Sequence, residues 1–225
     1  MKILAFIPAR GGSKRLPRKN VRVLDGKPLL VWSIEVCRGL TEICDILVST
    51  DDEETAEIAR KSGALVPWLR PAELATDTVT TKDVALHALD WYEKEKGLVD
   101  AVLLLQPTSP FRTRETVQRG VELFRKHGNR PVVSVSPATS HPMWCLTVDG
   151  DTMKPFMEGG GLHLRSQDLP PAFVVNGAFY MIAPRDLMRH QSFYSDDMVP
   201  LEISNPKEVI DIDTEYDWKI AESLS

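Results

Sequence analysis

Apolar runs of strand length alternate with amphipathic runs of helix length along most of this chain, and that rhythm excludes more folds than any other feature of it. KILAFIPA is followed, after a long polar loop, by PLLVWSIEVCRGL, with Pro28 placed to start a helix. DILVSTD then leads into EETAEIARKSGA, VTTKDVALHALDWYEKEKG into AVLLLQPTSP, and ETVQRGVELFRKHG into PVVSVSP. The repeated strand–helix order predicts an α/β fold, a mainly parallel sheet covered by helices on both faces. After Pro137 the rhythm fails: residues 138–172 carry polar strand-like pieces, Gly159 to Gly161 in succession and the pair Pro170-Pro171. It resumes with AFVVNGAFYMIA and closes with EVIDIDT leading into a helix over Glu215–Leu224. A chain of 225 residues, 43% hydrophobic, can bury one sizeable core. The expectation is a single domain over 1–225 with 138–172 as an excursion from it.

Several function classes drop out early. A formal net charge of -5 argues against a duplex nucleic-acid partner, because neutralising a phosphate backbone takes a broad basic surface. KILAFIPA begins like a signal peptide, but its apolar run is only Ile3 to Ile7 and a basic loop follows at once. No later stretch approaches the roughly 18 apolar residues of a membrane span. Cys37, Cys44 and Cys145 form no CxxC pair, so they are expected in a reducing, cytoplasmic setting, packed as small apolar residues. The five histidines show no zinc spacing, and His87, His127, Trp91 and Tyr92 are expected to be structural.

In open parallel sheets ligands bind beyond the carboxyl ends of the strands. Four polar clusters follow apolar strands here, namely Arg10 to Asn20, Ser49 to Asp52, Gln106 to Arg112 and the acidic pair in DIDT, and they are expected to converge on a single cleft. RGGSKRLPRKN carries five Lys or Arg side chains in an acidic protein, with no acid before Asp25. It matches neither GxGxxG nor GxxxxGK[ST], yet its logic is that of a phosphate site. Gly11 and Gly12 let backbone N–H groups approach an anion, Ser13 adds a hydroxyl, and Arg10, Lys14 and Lys19 supply cations.

Asp211 and Asp213 alternate along a strand end and reach one cation together only if the backbone turns there. Oxygen donors beside a polyphosphate suit Mg²⁺, while an N-cap for the helix after Thr214 is the competing reading. QPTSPFR offers Gln106, Thr108 and Ser109 on a proline-stiffened shelf, with Arg112 beyond, able to hold a base, a ribose or a sugar carboxylate. An ordinary strand-to-helix turn capped by Thr113 is the alternative.

Taken in order, IPARGGSKRLPRKN, LRPAELATDT, QPTSPFR, RSQDLP, NGAFY and DIDT resemble the acylneuraminate cytidylyltransferases, the CMP-sialic acid synthetase family, over nearly the whole chain. The resemblance implies a Rossmann-like nucleotidyltransferase that couples CTP to an acidic nine-carbon sugar and releases pyrophosphate, with Mg²⁺. By motif, Arg10, Gly12, Ser13, Lys14, Lys19 and Asn20 would hold CTP, and Arg70 and Thr81 would frame the cytidine. Gln106, Thr108, Ser109, Asn176 and Tyr180 would face the sugar, and Asp211 and Asp213 would bind the metal. Lys19 and Arg10 would stabilise the reacting phosphate, and either Asp211 or a metal-polarised hydroxyl would handle the proton. The family is dimeric through an excursion like 138–172, which would carry Arg165 and Gln167 toward the partner's active site. Three other readings stand beside this one: a 3-deoxy-manno-octulosonate cytidylyltransferase, a metal-dependent glycosyltransferase using a CMP-sugar, and a non-catalytic nucleotide sensor.

Overall fold

The structure, a computed structural model, describes residues 1–159 and 161–225. Its strands and helices follow the expected rhythm at first. Strand β1 (Ile3–Pro8) leads through the basic loop and a 3-10 turn at Lys19–Val21 to the short pair β2 (Val23–Leu24) and β3 (Lys27–Pro28), then to α1 (Leu29–Glu35). β4 (Ile43–Ser49), α2 (Glu53–Lys61), α3 (Thr81–Lys96), β5 (Ala101–Leu104), α4 (Arg114–Lys126) and β6 (Val132–Pro137) come next. The excursion holds a hairpin, β7 (Leu146–Asp149) with β8 (Thr152–Pro155), and β9 (Phe173–Ile182) returns to the sheet. The chain ends with α5 (Pro184–His190), β10 (Val199–Glu202) and α6 (Glu215–Leu224).

The main sheet has the order β10-β6-β9-β5-β1-β4. β1 runs parallel to β4 and β5, and β10 parallel to β6, while β9 enters antiparallel between β5 and β6. The sheet is therefore mostly parallel, with one reversed strand that the sequence pattern did not announce. Two further differences concern the last third. VPLE and PRDLMRH, unassigned from sequence, form β10 and α5, and the DIDT stretch, expected as a strand end, is irregular backbone.

Alternation along the strands divides the core between the two faces. Ile3, Ala5 and Ile7 pack with Leu30, Ala56, Val117 and Phe124 on one side. Leu4 and Phe6 pack with Val84, Ala88 and Leu89 on the other, so β1 is buried on both faces, as a central parallel strand must be. Trp91 packs against this second cluster and Tyr92 lies within it, as expected for core aromatics. Cys37 is buried, whereas Cys44 and Cys145 are exposed, contrary to the packed setting expected of all three. Cys44 lies in β4, the outermost strand of its edge, and Cys145 in the excursion, where no core covers them.

A third cluster joins the loops that lie beyond the sheet. Leu16 from the basic loop, Leu24, Leu29, Phe111, Ile212, Trp218 and Ala221 pack together, tying the basic loop, the shelf and the C-terminal helix into one body. Arg22 reinforces it by a bidentate pair with Glu215, at 2.6 and 2.9 Å, and by lying 4.2 Å over the Trp218 ring.

Helix α4 meets β9 through a glycine. A Cβ on Gly120 would stand 2.3 Å from Cζ of Phe179, whose ring fills the gap between helix and sheet. Gly120→Ala is expected to destabilise the fold by about 1–3 kcal/mol, as overpacking a filled core does, read as a lowered denaturation midpoint. An unchanged midpoint would show that the interface has slack.

Candidate active site

Where a single cleft was expected, three cavities meet at Gln106 beyond the carboxyl ends of the central strands; the third, about 310 Å³, lies beside Tyr180 and Tyr194 and is lined by Lys82. The first encloses about 470 Å³ and is walled by Arg10, Lys14, Arg15, Lys19 and Arg70 against only two carboxylates, Asp77 and Asp213. Ser13, Asn20, Thr76, Thr81 and Thr108 add to its polar lining. The second, about 690 Å³, has no cation in its wall among the described residues and is bounded by Asn176, Tyr180, Tyr194, Asp211, Ser136 and an apolar stretch including Val174 and Val175.

The basic loop is braced so that Arg10, Lys14, Arg15 and Lys19 line the first cavity, while Arg18 turns away to pair with Glu54. Gly11 sits so close to Asp52 that a Cβ there would come within 2.8 Å of the aspartate's own Cβ. Its N–H is bound by Asp51 Oδ1 at 2.9 Å, so it is already committed, and Asp52 caps α2 through Thr55 N. The Ser49 to Asp52 cluster thus holds the loop and helix rather than lining either cavity. Gly12 is exposed with open space beside it, which leaves room for a ligand. Asn20 Nδ2 donates to the Arg10 carbonyl at 2.9 Å, closing the loop on itself. Arg70 lines the cavity while its Nε holds Ser49 Oγ at 3.0 Å, and burial lowers the guanidinium to about 10, still charged at neutral pH.

Lys19 is the most enclosed cation of the loop. Its Nζ donates to the Ile212 carbonyl and to Asp213 Oδ1, both at 2.9 Å, and Arg15 reaches the other carboxylate oxygen at 3.1 Å. Asp77, inside the LRPAELATDT motif but not singled out from sequence, pairs with Arg10 at 2.8 Å and with Lys14. Those two hydrogen bonds, Lys14's first, hold its carboxyl below the ordinary range.

The DIDT segment is positioned by its middle residue. Ile212 is fully buried in the third cluster and its N–H donates to the Thr108 carbonyl at 2.8 Å. The flanking aspartates consequently part: Asp213 lines the first cavity and Asp211 the second. Loss of solvent raises the Asp211 carboxyl above the usual carboxylate value, with a hydrogen bond from Thr108 opposing and repulsion from Asp213 adding. The competing N-cap reading belongs to Thr214, which caps α6 in a capping box with Asp217.

NGAFY builds the wall of the second cavity by interrupting the ladder. β6 and β9 pair at Val133 with Tyr180 and again at Val135 with Val175, so Asn176 to Phe179 bulge opposite Ser134. Ser134 Oγ donates to Asn176 Oδ1 at 2.6 Å and accepts from Phe179 N at 2.8 Å, replacing the lost ladder bonds. Asn176 Nδ2 is left buried and without a partner. Tyr180 packs edge-on against Tyr194 at 5.9 Å, and burial raises its hydroxyl further above an ordinary tyrosine.

Of the residues expected to share a site, Arg10, Ser13, Lys14, Lys19, Asn20, Arg70, Thr81, Gln106, Thr108 and Asp213 line the first cavity, and Asn176, Tyr180 and Asp211 the second. Ser109 is fully buried behind the wall, its hydroxyl unpaired. Arg165 and Gln167 line neither cavity; Arg165 is exposed and pairs with Asp168 at 2.8 Å. Among the described residues no helix is long and apolar enough to cross a membrane.

Comparison with known proteins settles the family. A family model described as cytidylyltransferase matches residues 4–153. The chain belongs to the cytidylyltransferase family. It is 41% identical to the CMP-N,N'-diacetyllegionaminic acid synthase of Legionella pneumophila, over all of this chain and 96% of that one. It is 34% identical to an N-acylneuraminate cytidylyltransferase of Streptococcus agalactiae, matching 97% of this chain but 52% of the streptococcal protein, so it spans about half that relative's length. Among solved structures, CMP:2-keto-3-deoxy-manno-octonic acid synthetase complexed with CTP superposes with a TM-score of 0.72, covering 100% of this cytidylyltransferase chain and 98% of that one. At 15% identity that likeness establishes the fold alone, a Rossmann-like α/β fold with a mostly parallel sheet.

Proposed function

We propose that the protein transfers the cytidylyl group of CTP to the anomeric hydroxyl of a nine-carbon acidic sugar, releasing pyrophosphate. The observation that carries this reading is the pairing of a cavity walled by five cations with a second, cation-free cavity across Gln106. The names of the legionaminic and neuraminic acid relatives support it. A glycosyltransferase taking a finished CMP-sugar has no need of so many cations for one phosphate.

The sugar hydroxyl in the second cavity attacks the α-phosphorus, the new O–P bond forms, and pyrophosphate departs with the broken bond's electrons. Lys19 and Arg10 stabilise charge that builds on the phosphate oxygens. The hydroxyl proton leaves on the acceptor side, where Asp211 is the carboxylate in the wall among the described residues. Catalysis is otherwise positioning of the two substrates about Gln106.

Asp211 and Asp213 are the residues that would hold Mg²⁺. Both offer hard oxygen donors on either side of Ile212, and a divalent cation held by both would relieve their repulsion while displacing Lys19 or Arg15 from an Asp213 oxygen. No third acid, histidine or cysteine joins them among the described residues, which suits an ion that completes its shell with phosphate oxygens and water. Once bound, the ion supplies neutralisation of phosphate charge.

The active unit we propose is a cytoplasmic homodimer. The excursion exposes Val148, Met153 and Phe156 at 70%, 67% and 68%, more apolar surface than a short hairpin can cover itself, and a second copy is the occupant that would also bring Arg165 to a site.

The test is a pyrophosphate-release assay with CTP against a panel of nonulosonic acids and 3-deoxy-manno-octulosonate. Turnover is expected with a nine-carbon acid and Mg²⁺. In the double variant Asp211→Asn with Asp213→Asn the Mg²⁺ dependence should weaken while the fold survives. A protein that binds CTP but releases no pyrophosphate with any acid sugar would overturn the reading, and a double variant with wild-type Mg²⁺ dependence would overturn the metal assignment.

A further inference from the structure

Arg112 is a buried cation that the proposed transfer leaves unused. It is 4% exposed, and among the described residues it makes no ion pair. Its Nη1 donates to Ser33 Oγ at 3.3 Å, its Nη2 to the Gln106 carbonyl, and its Nε is buried without a partner. Burying a guanidinium without a carboxylate is expensive, and a packed apolar side chain of similar length would be more stable there. A cost of that kind is retained where the group fixes something else.

What it fixes is the backbone of Gln106. Three donors converge on that one carbonyl: Arg112 Nη2, Ser33 Oγ at 3.4 Å and Ser109 N at 3.3 Å. The side chain is confined from the opposite direction. Gly177, in the β9 bulge at φ +79°, presents bare backbone, and a Cβ there would stand 3.1 Å from Gln106 Oε1. Gln106 is thus gripped from beneath and laid against a glycine, in the wall shared by both cavities.

We propose that Arg112 and Gly177 are positioning residues that set Gln106 as the partition between nucleotide and acceptor, so that alignment of the acceptor hydroxyl on the α-phosphate depends on both. Arg112 lines neither cavity, whereas Gly177 lies in the wall of the second and acts on Gln106 through its bare backbone. The inference rests on the proposed transfer from CTP, but its structural half, the placement of Gln106, does not.

A mutant cycle separates this role from simple support of the fold. Arg112→Met, Gln106→Ala and the double variant are compared for CTP affinity, for kcat and KM toward the acid sugar, and for melting temperature. Displacing a positioned group by a fraction of an ångström is expected to lower kcat/KM for the sugar by about tenfold or more, with CTP affinity changed less than about twofold. In the Gln106→Ala background the same Arg112→Met change should cost less than about threefold, because the group it positions is gone. Arg112→Lys should restore part of the loss. Gly177→Ala also strains a backbone at φ +79° and alters the second cavity's wall, so the stand-in should Arg112→Met fail to fold is Ser33→Ala, which removes a second donor to the Gln106 carbonyl and the acceptor of Arg112 Nη1 and should repeat the pattern more weakly.

Equal losses in both backgrounds, or a parallel loss of CTP affinity, would overturn the inference. The side-chain amide NMR signals of Gln106 provide a readout independent of turnover. They should be dispersed in the wild type and averaged in Arg112→Met, and unchanged signals would overturn the inference even for a protein that transfers nothing. A wild type that releases no pyrophosphate defeats the proposed function instead.

Discussion

Lys19→Ala is expected to lower turnover by about a hundredfold or more, the scale set by removing one preorganised donor from a charge-stabilising site. Lys19 is held where flexibility would otherwise blunt such an effect. Its side chain is 11% exposed, against 71% and 76% for Arg15 and Lys14 on the same loop. Two 2.9 Å bonds, to a backbone carbonyl and to Asp213, fix the ammonium in the wall of the first cavity. The backbone that accepts one of these bonds is itself anchored by buried Ile212, so Lys19 moves only if the third cluster moves. Because Arg15 remains 3.1 Å from Asp213, the variant does not leave that carboxylate without a cation, and the fold should persist. The loss should therefore fall mainly on kcat, with an intact melting transition. A folded Lys19→Ala protein turning over at near the wild-type rate would reject the charge-stabilising role.

How far such a site can be read from sequence depends on which forces place each residue. The β1 to β6 part was legible because burial on both faces forces continuous apolar strands and amphipathic helices, and the basic loop because like charges cluster there against the sign of the whole chain. β10 and α5 were not, since VPLE and PRDLMRH are too short to show a period and each is specified by its neighbours, β6 and the second core cluster. DIDT misled because alternation resembles a strand end, whereas the backbone is shaped by one buried isoleucine packed with Trp218 and Leu16. That same residue parts the two aspartates between cavities. Asp77 lies 67 residues from Arg10, its partner, and no local pattern marks such a contact. The burial of Arg112 was hidden for a related reason: at the end of a proline-rich turn an arginine looks solvated, and only the packed shelf shows it turned inward.

Mixing two inactive variants should restore activity if the excursion serves the neighbouring subunit. Within one chain Arg165 lines neither cavity, and its pair with Asp168 joins two exposed side chains three residues apart, a contact of little energy that a stronger partner can displace. The hairpin that precedes it cannot form a core of its own, since every residue of β7 and β8 is exposed. A second copy docking on this face would cover Val148, Met153 and Phe156 and bring Arg165 and Gln167 to a site that has no cation in its acceptor wall. Arg165→Ala chains and Lys19→Ala chains, each nearly inactive alone, are combined under conditions that allow subunit exchange. If Arg165 acts across the interface, each mixed dimer holds one site with both defects and one intact site, so activity recovers toward about half of the wild-type value per mixed dimer. If Arg165 serves its own chain, every site in the mixture keeps one defect and nothing is recovered. Exchange demonstrated without recovery, or full activity from a monomer at assay concentration, would reject the crossing arm.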